Sequence, residues 1–288
     1  MSESAASGSL GASSNLAAET PRLEAFYSRP MEAVLADPKL PEAREALLEA
    51  LEDGSVRAAS KGKDGAWSAN AWVKLAILAG FKSTGVVEIP GWPGGAIEKE
   101  AYPPRHFSAS DGLRVVPGGS SVRRGAHLGA GVVIMPPAYI NVGAWVGSGT
   151  MIDSHALVGS CAQIGERVHL SAAAQIGGVL EPPGARPVVV EDDCFIGALC
   201  GLFEGVLVRS RAVLASGTVI TASTSIYDLV KGRVLRGEVP EGAVVAPGSR
   251  PASGEYAKAR GISLYAPCIV KYRDGKTDAA TVLEEALR

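Results

Sequence analysis

The sequence predicts a mainly β protein: a parallel β-helix of hexapeptide repeats, preceded by an α-helical domain and closed by a small β/α extension. Three observations carry this prediction. Seventeen aliphatic residues keep a six-residue spacing, ten in one unbroken series from Val122 to Ile176 and seven from Val190 to Ile226. Four places after each of these marks sits a mostly small residue, as at Ala126, Ala144, Thr150, Ala162, Cys194, Cys200 and Thr218. Glycine is abundant, at 35 residues, and aromatic residues make up only 6%, which suits a narrow prism with sharp corners. No α-helix keeps one face at a period of six, and a flat strand needs a period of two. One hexad per flat side and three sides per turn give a triangular prism of about six coils.

The remaining elements follow in chain order. Residues 1–19 are rich in Ser, Ala and Gly, with no basic start and no long apolar run, so they are expected to be a disordered tail rather than a signal peptide. Residues 20–112 read as a helical domain and a connector. Pro41 suits a first helical position, Leu47, Leu48 and Leu51 share one face, and Gly54 is a stop. Ser68 is positioned to cap a helix carrying Trp72, Leu75, Ala76 and Leu78, ended by Gly80. Residues 81–112, with Trp92, Tyr102 and several Pro and Gly, read as a connector with short strands.

The prism is assigned to residues 113–231. Its register breaks between Ile176 and Val190, where Pro182, Pro183 and Pro187 fall. An excursion from a regular coil is where a site is expected, a neutral loop being the alternative. Residues 232–288 read as short strands over 233–239, 242–246 and 262–272, then a terminal helix from Thr277 to Arg288. A solenoid must cover its open ends.

Composition excludes several classes. A net charge of -2 gives no basis for binding nucleic acid or an acidic membrane surface, and no stretch resembles a membrane span. The four cysteines form no CxxC pair. Cys194 and Cys200 fall on interior positions, so a reducing, cytoplasmic setting is expected, without a disulfide framework or structural zinc. Metal-dependent carbonic anhydrases of this prism type need three converging histidines. His127, His155 and His169 are widely spaced, and the last two differ in hexad phase, so no metal site is expected.

The repeat resembles that of the hexapeptide-repeat acyltransferases. The stretch GTMIDSHALVGSCAQIGERVHLSAAAQIGGVLEPPGARPVVVEDDCFIGA (149–198) is more specific. It closely resembles the tetrahydrodipicolinate N-succinyltransferases of bacterial lysine and diaminopimelate biosynthesis. LRVVPGGSSVRRGAHLGAGVVIMPPAYINVGAWVG (113–147), GRVLRGEVPEGAVVAPGS (232–249) and SLYAPCIVKYRD (263–274) extend the likeness. The resemblance implies a left-handed β-helix, a cytoplasmic homotrimer with sites between subunits, and small-molecule substrates. It implies succinyl-CoA as co-substrate, with no permanently bound cofactor, and succinylation of the amine of ring-opened tetrahydrodipicolinate. An acetyl-CoA-using version of that step, a relative recruited to secondary metabolism, and a non-catalytic trimeric scaffold are the alternatives.

By position, the family's catalytic aspartate falls on Asp153. This residue is one past the mark Ile152, so its carboxylate should point outward. The family's substrate-binding arginine falls on Arg114, whose guanidinium could fork onto a carboxylate of the substrate. The family's second acid falls on Gly201, its neighbours on Leu199 and Cys200, and a tryptophan on His155. Glu204 is the nearest carboxylate and the candidate replacement acid–base. Gly177 and Gly178 are candidate backbone donors to the thioester oxyanion. Ala198 and Ser216 are small enough for a pantetheine arm to lie between subunits. Lys258, Arg260 and Lys271 are candidates to meet the coenzyme's phosphates. Amine and thioester react directly when held together, so Cys161 and Cys200 are not needed as nucleophiles.

Overall fold

The computed structural model describes residues 12–92 and 94–274. Each mark from Val122 to Ile220 is the second residue of a two-residue strand, buried, while the residue before it faces outward or into a packed neighbour. Strands pair in parallel with partners eighteen residues on, Trp145 beside Gln163 and Val146 beside Ile164. Ile134, Ile140, Ile152, Ile164, Leu170 and Ile176 are all fully buried. Each such side chain contributes about 1.5–3 kcal/mol on leaving water, so the column of marks is the main stabilising element of the fold.

Three faces result, visited in rotation, and together they make a left-handed parallel β-helix. The first face runs Arg114–Val115, Val133–Ile134, Met151–Ile152, His169–Leu170, Phe195–Ile196, Val213–Leu214. The second begins at Ser121–Val122 and ends at Val219–Ile220, and the third begins at His127–Leu128 and ends at Glu238–Val239. The corners turn through left-handed backbone three residues after a mark. Seven of the eight non-glycine residues with positive φ sit there, among them His155 (φ 62) and Leu199 (φ 59), and Glu204 is the eighth. A β-carbon disfavours this conformation by about 1–2 kcal/mol, which the stacked coils on either side offset.

The insertion lengthens one coil, so that Gln163 pairs with Val189, twenty-six residues on. It is tied down at two points. Lys74, fully buried in the helical domain, donates from Nζ to the Ala185 carbonyl at 2.5 Å. Arg186 donates from Nε and Nη2 to the Gly205 carbonyl at 3.0 and 2.8 Å.

The helical domain comprises Ala12–Tyr27, Met31–Leu35, Leu40–Asp53 and Ala71–Ser83. Leu47, Leu48, Val73, Ile77 and Tyr102 form its core, which reaches the prism at Val142 and Cys161. Gly54 ends its helix in left-handed backbone, φ 87, as expected. An antiparallel pair, Val86–Glu88 with Ile97–Lys99, occupies the connector. Among the described residues no helix is long and apolar enough to cross a membrane.

Four expectations are corrected. The first helix starts at Ala12, inside the stretch read as a disordered tail; Ala17 and Ala18 are strong helix formers that composition alone had discounted. Residues 1–11 lie outside the described residues. Ser68 belongs to the strand Trp67–Ala69, and Asn70 stands at the helix N-cap. Gly80 lies within that helix, where a β-carbon would meet the Tyr102 hydroxyl; it admits Tyr102 Oη, which donates to the Ile77 carbonyl at 2.7 Å.

The fourth correction concerns Ile226. It leaves the prism for an antiparallel hairpin with Arg233–Leu235. Val239 and Val245 complete the coil instead, beside Val208 and Leu214. The prism therefore runs past residue 231. Cys268–Tyr272 then pairs with both Ala243–Ala246 and Ile226–Asp228, covering the open end. The terminal helix expected from Thr277 lies outside the described residues.

Candidate active site

Asp153 lies at the corner where the first face turns into the second. Its N–H donates to the Leu170 carbonyl at 2.9 Å, tying the corner to the next coil. One carboxylate oxygen, Oδ1, accepts the Ser154 N–H at 2.7 Å. The side chain is half-buried, and Oδ2 has no partner among the described residues. An acceptor oxygen is thus held outward on a rigid coil.

The same corner carries several other predicted residues. Ala198 and Ser216 lie one place further round it than Asp153, two residues past the marks Ile196 and Leu214, and stack on consecutive coils. They form a low ridge beyond Asp153, with Ala198 half-buried and Ser216 exposed. His155 and Leu199 stand on this ridge, and Leu199 is 68% exposed. Gln175 fixes the corner from the adjoining face, its Nε2 donating to the His155 and Ala173 carbonyls at 3.1 Å each.

Arg114 is exposed at the start of the first face, beside Val133, which pairs in turn with Met151. It is therefore two strand spacings from the Asp153 coil, roughly 9–10 Å along the axis. Asp153 and Arg114 share one side of the prism.

Glu204 does not share it. It lies at the corner between the second and third faces, exposed, with Oε2 accepting the Ala222 N–H at 3.2 Å. Within one protomer it stands across the second face from Asp153 and two coils away, so the chain does not bring these two carboxylates together.

The two glycines also separate. Gly177 is buried and donates its N–H to the Leu202 carbonyl at 2.8 Å, so it has no donor to offer an oxyanion. Gly178 is exposed, and its N–H has no partner among the described residues. Of the pair, only Gly178 keeps the donor that the sequence assigned.

Phe203 escaped the sequence reading. Its ring lies across the second face, where a β-carbon on Gly201 would sit 2.7 Å from Cε2 and one on Gly177 2.7 Å from Cδ1. An aromatic residue directly after the mark Leu202, with a glycine directly before it, was the available signal.

The cysteines belong to packing. Cys161 is fully buried and its thiol is pushed up to about 12 by desolvation, and burial also raises Cys200. Thiols held neutral in this way are poor nucleophiles. The cations near the C-terminal end lie on separate elements. Lys258 is in the short helix Glu255–Ala259, the Arg260 guanidinium lies 3.9 Å from the centre of the Tyr256 ring, and Lys271 is on Cys268–Tyr272 beside Asp274. His127 stacks on Trp145 on the third face, His169 tilts against Phe195 on the first, and His155 is at a corner. Among the described residues no three His, Cys, Asp or Glu side chains converge on a metal-sized site.

The chain is similar to known proteins along most of its length. Residues 23–82 match the family described as tetrahydrodipicolinate N-succinyltransferase N-terminal, and residues 187–222 the hexapeptide repeat of succinyl-transferase. A 2,3,4,5-tetrahydropyridine-2,6-dicarboxylate N-succinyltransferase of Afipia carboxidovorans is 44% identical over 278 residues, 94% of this chain and 98% of the relative. One of Polynucleobacter asymbioticus is 45% identical over 251 residues, 84% and 88% of the two chains. A crystal structure from Campylobacter jejuni, described as a 2,3,4,5-tetrahydropyridine-2-carboxylate N-succinyltransferase, superposes with a TM-score of 0.50 at 18% identity. It covers 78% of this chain and 62% of its own, and bears on the fold alone. Identity of this order along nearly the whole length places the chain in the tetrahydrodipicolinate N-succinyltransferase family.

Proposed function

We propose that this protein moves a succinyl group from succinyl-CoA to the amine of ring-opened tetrahydrodipicolinate, in the lysine and diaminopimelate route. The observation that carries the proposal is the outward carboxylate of Asp153, fixed on a rigid corner beside a ridge of small residues, in a chain of this family. The amine reacts only when neutral, so a base must take its proton. Asp153 Oδ2 is the group that orients the amine and draws that proton, directly or through a water.

The amine nitrogen adds to the thioester carbonyl carbon, the C–S bond breaks, and the coenzyme leaves as the thiol. Gly178 N–H supports the developing oxyanion. Arg114 pairs with a carboxylate of the acceptor. The Ala198–Ser216 ridge accommodates the pantetheine arm. Because Arg114, Asp153 and Glu204 are spread over several coils and two corners, the complete site draws on neighbouring copies in a homotrimer. Glu204 supplies the second carboxylate from across such an interface. A cytoplasmic location accords with the free cysteines, of which Cys161, Cys194 and Cys200 are buried.

A second reading rests on one observation. Phe203 covers Gly201, and Leu199 exposes an aliphatic side chain on the Asp153 ridge. A more apolar cleft favours a different acyl donor, acetyl-CoA in the simplest case, or a different acceptor. Thiol release from succinyl- and acetyl-CoA, measured side by side with a tetrahydrodipicolinate-type amino dicarboxylate, separates the readings. Faster release from the succinyl donor supports the proposal, and preference for acetyl supports the second reading.

A further inference from the structure

The third face of the prism carries a cavity remote from Asp153. The corner that holds Asp153 joins the first and second faces, so the third face is the side opposite it. Against this face packs the hairpin Ala59–Lys61 with Trp67–Ala69, from the helical domain. Between hairpin and prism lies a cavity of about 290 Å³, lined by Arg57, Lys61, Trp67, Trp145, Glu166 and Asp192, among others. That volume is at the low end for a small-molecule site.

Arg57 is built into this cavity. Its Nε donates to Gln163 Oε1 at 3.0 Å. Gln163 is itself 1% exposed, and its Nε2 donates to the Cys161 carbonyl at 3.0 Å, which fixes the amide with its oxygen toward Arg57. The guanidinium lies 3.8 Å from the Trp145 ring centre and 5.4 Å from that of Trp67. Desolvation lowers its pKa to about 10, so the cation is held where water solvates it poorly. Its two terminal nitrogens have no hydrogen-bond partner among the described residues.

The neighbouring acids divide in two. Glu191 is saturated: Oε1 accepts from Trp67 Nε1 at 2.9 Å and Lys61 Nζ at 2.8 Å, and Oε2 from the Ser210 N–H at 3.1 Å. It latches the hairpin and has little left to give Arg57. Asp192 uses Oδ1 to accept the Glu166 N–H at 2.8 Å, leaving Oδ2 uncommitted, and Glu166 uses Oε2 on Arg167 at 2.7 Å, leaving Oε1 uncommitted. The lining therefore presents spare donors, on Arg57 and Lys61, and spare acceptors, on the turns that carry Asp192 and Glu166. The two indoles also line it.

We infer that this cavity is a binding site for a free amino acid, its carboxylate on Arg57 and Lys61 and its ammonium on Asp192 and Glu166. A guanidinium matches a carboxylate with two parallel hydrogen bonds, and indole faces suit an aliphatic or cationic side chain between them. The ligand bridges the helical domain and the prism, so its binding also fastens the hairpin to the third face. This site is separate from the proposed transfer chemistry and does not rest on it.

Calorimetric titration of the full chain, without any acyl donor, tests it. The probes are L-glutamate, L-lysine, glutarate, which lacks the amine, and cadaverine, which lacks the carboxylate. Saturable binding of at least one of the amino acids is expected, with glutarate and cadaverine roughly tenfold weaker or worse. Arg57→Gln and Asp192→Asn should each weaken it by at least about tenfold, while Asp153→Asn leaves it unchanged. Asp192→Asn retains an Oδ1 acceptor for Glu166, so it decides the matter if Arg57→Gln fails to fold. No binding at millimolar concentration, binding that survives Asp192→Asn, or binding lost in Asp153→Asn would each overturn the inference.

Discussion

Phe203 and Gly201 are packed against each other: the ring occupies the space that any side chain on Gly201 would enter, with Cε2 2.7 Å from a β-carbon built there. Val219 Cγ1, 3.4 Å from the same point, closes the other side. The glycine at 201 and the aromatic ring at 203 therefore share one space.

Gly201→Ala should destabilise the fold by about 1–3 kcal/mol, the usual cost of overpacking. In a Phe203→Ala background the same substitution should cost much less, giving a coupling of about 0.5 kcal/mol or more. Urea unfolding of the two single variants and the double variant measures this. Additive effects would mean that the two residues do not share the space.

The imidazole of His127 is held below its ordinary pKa, first by burial, although Nδ1 bonds to the Glu52 carbonyl at 2.9 Å. The unfolded chain then binds the proton more readily than the folded one. Stability attributable to this group should fall as pH drops from about 6.5 toward the depressed value, and level off below it. His127→Phe keeps an aromatic ring on Trp145 and should flatten that part of the profile. Urea midpoints between pH 5 and about 7.5 test it, and equal slopes in both proteins would contradict the assignment.

Arg186 ties the insertion to the next coil through two N–H donors on one buried carbonyl. Removing them in Arg186→Ala should cost about 1–3 kcal/mol. Arg186→Lys should recover only part, because an ammonium cannot reproduce the fork. A thermal melt of the three proteins orders them, and Arg186→Ala equal to the parent would show that the insertion holds itself.

Much of the prism was legible because burial alone imposes its period. Each mark from Val122 to Ile220 must point inward, and nothing else in the chain needs to be known to place it. Ile226 shows the limit: it keeps the spacing yet enters a hairpin, while Val239 and Val245 carry the same spacing in register with Val208 and Leu214. Val239 and Val245 lie thirteen and nineteen residues beyond Ile226, off the ruler's phase, so a strict six-residue count does not find the segment that closes the coil. Gly80 misled for a similar reason, since its demand comes from Tyr102, far along the chain.

At the site, the motif and the hexad phase turned Asp153 outward, whereas Ala198 and Ser216 were chosen for side-chain size alone, and only the pairing of coils puts them on the same corner. Motif and phase could not reveal that the Gly177 N–H is committed to Leu202, which depends on pairing between coils. Nor could they bring Arg57, Trp145 and Glu191 together, because those contacts join the helical domain to the third face.

The most direct test of the proposed chemistry is thiol release from succinyl-CoA, with the amino dicarboxylate acceptor, by the parent chain and by Asp153→Asn. The amide is nearly isosteric and can keep an oxygen for the Ser154 N–H, so fold and assembly should persist. Loss of a positioned base corresponds to about a hundredfold or greater fall in turnover, and that is the expected result. Near-parental turnover in Asp153→Asn, with the parent active, would contradict the role of Asp153.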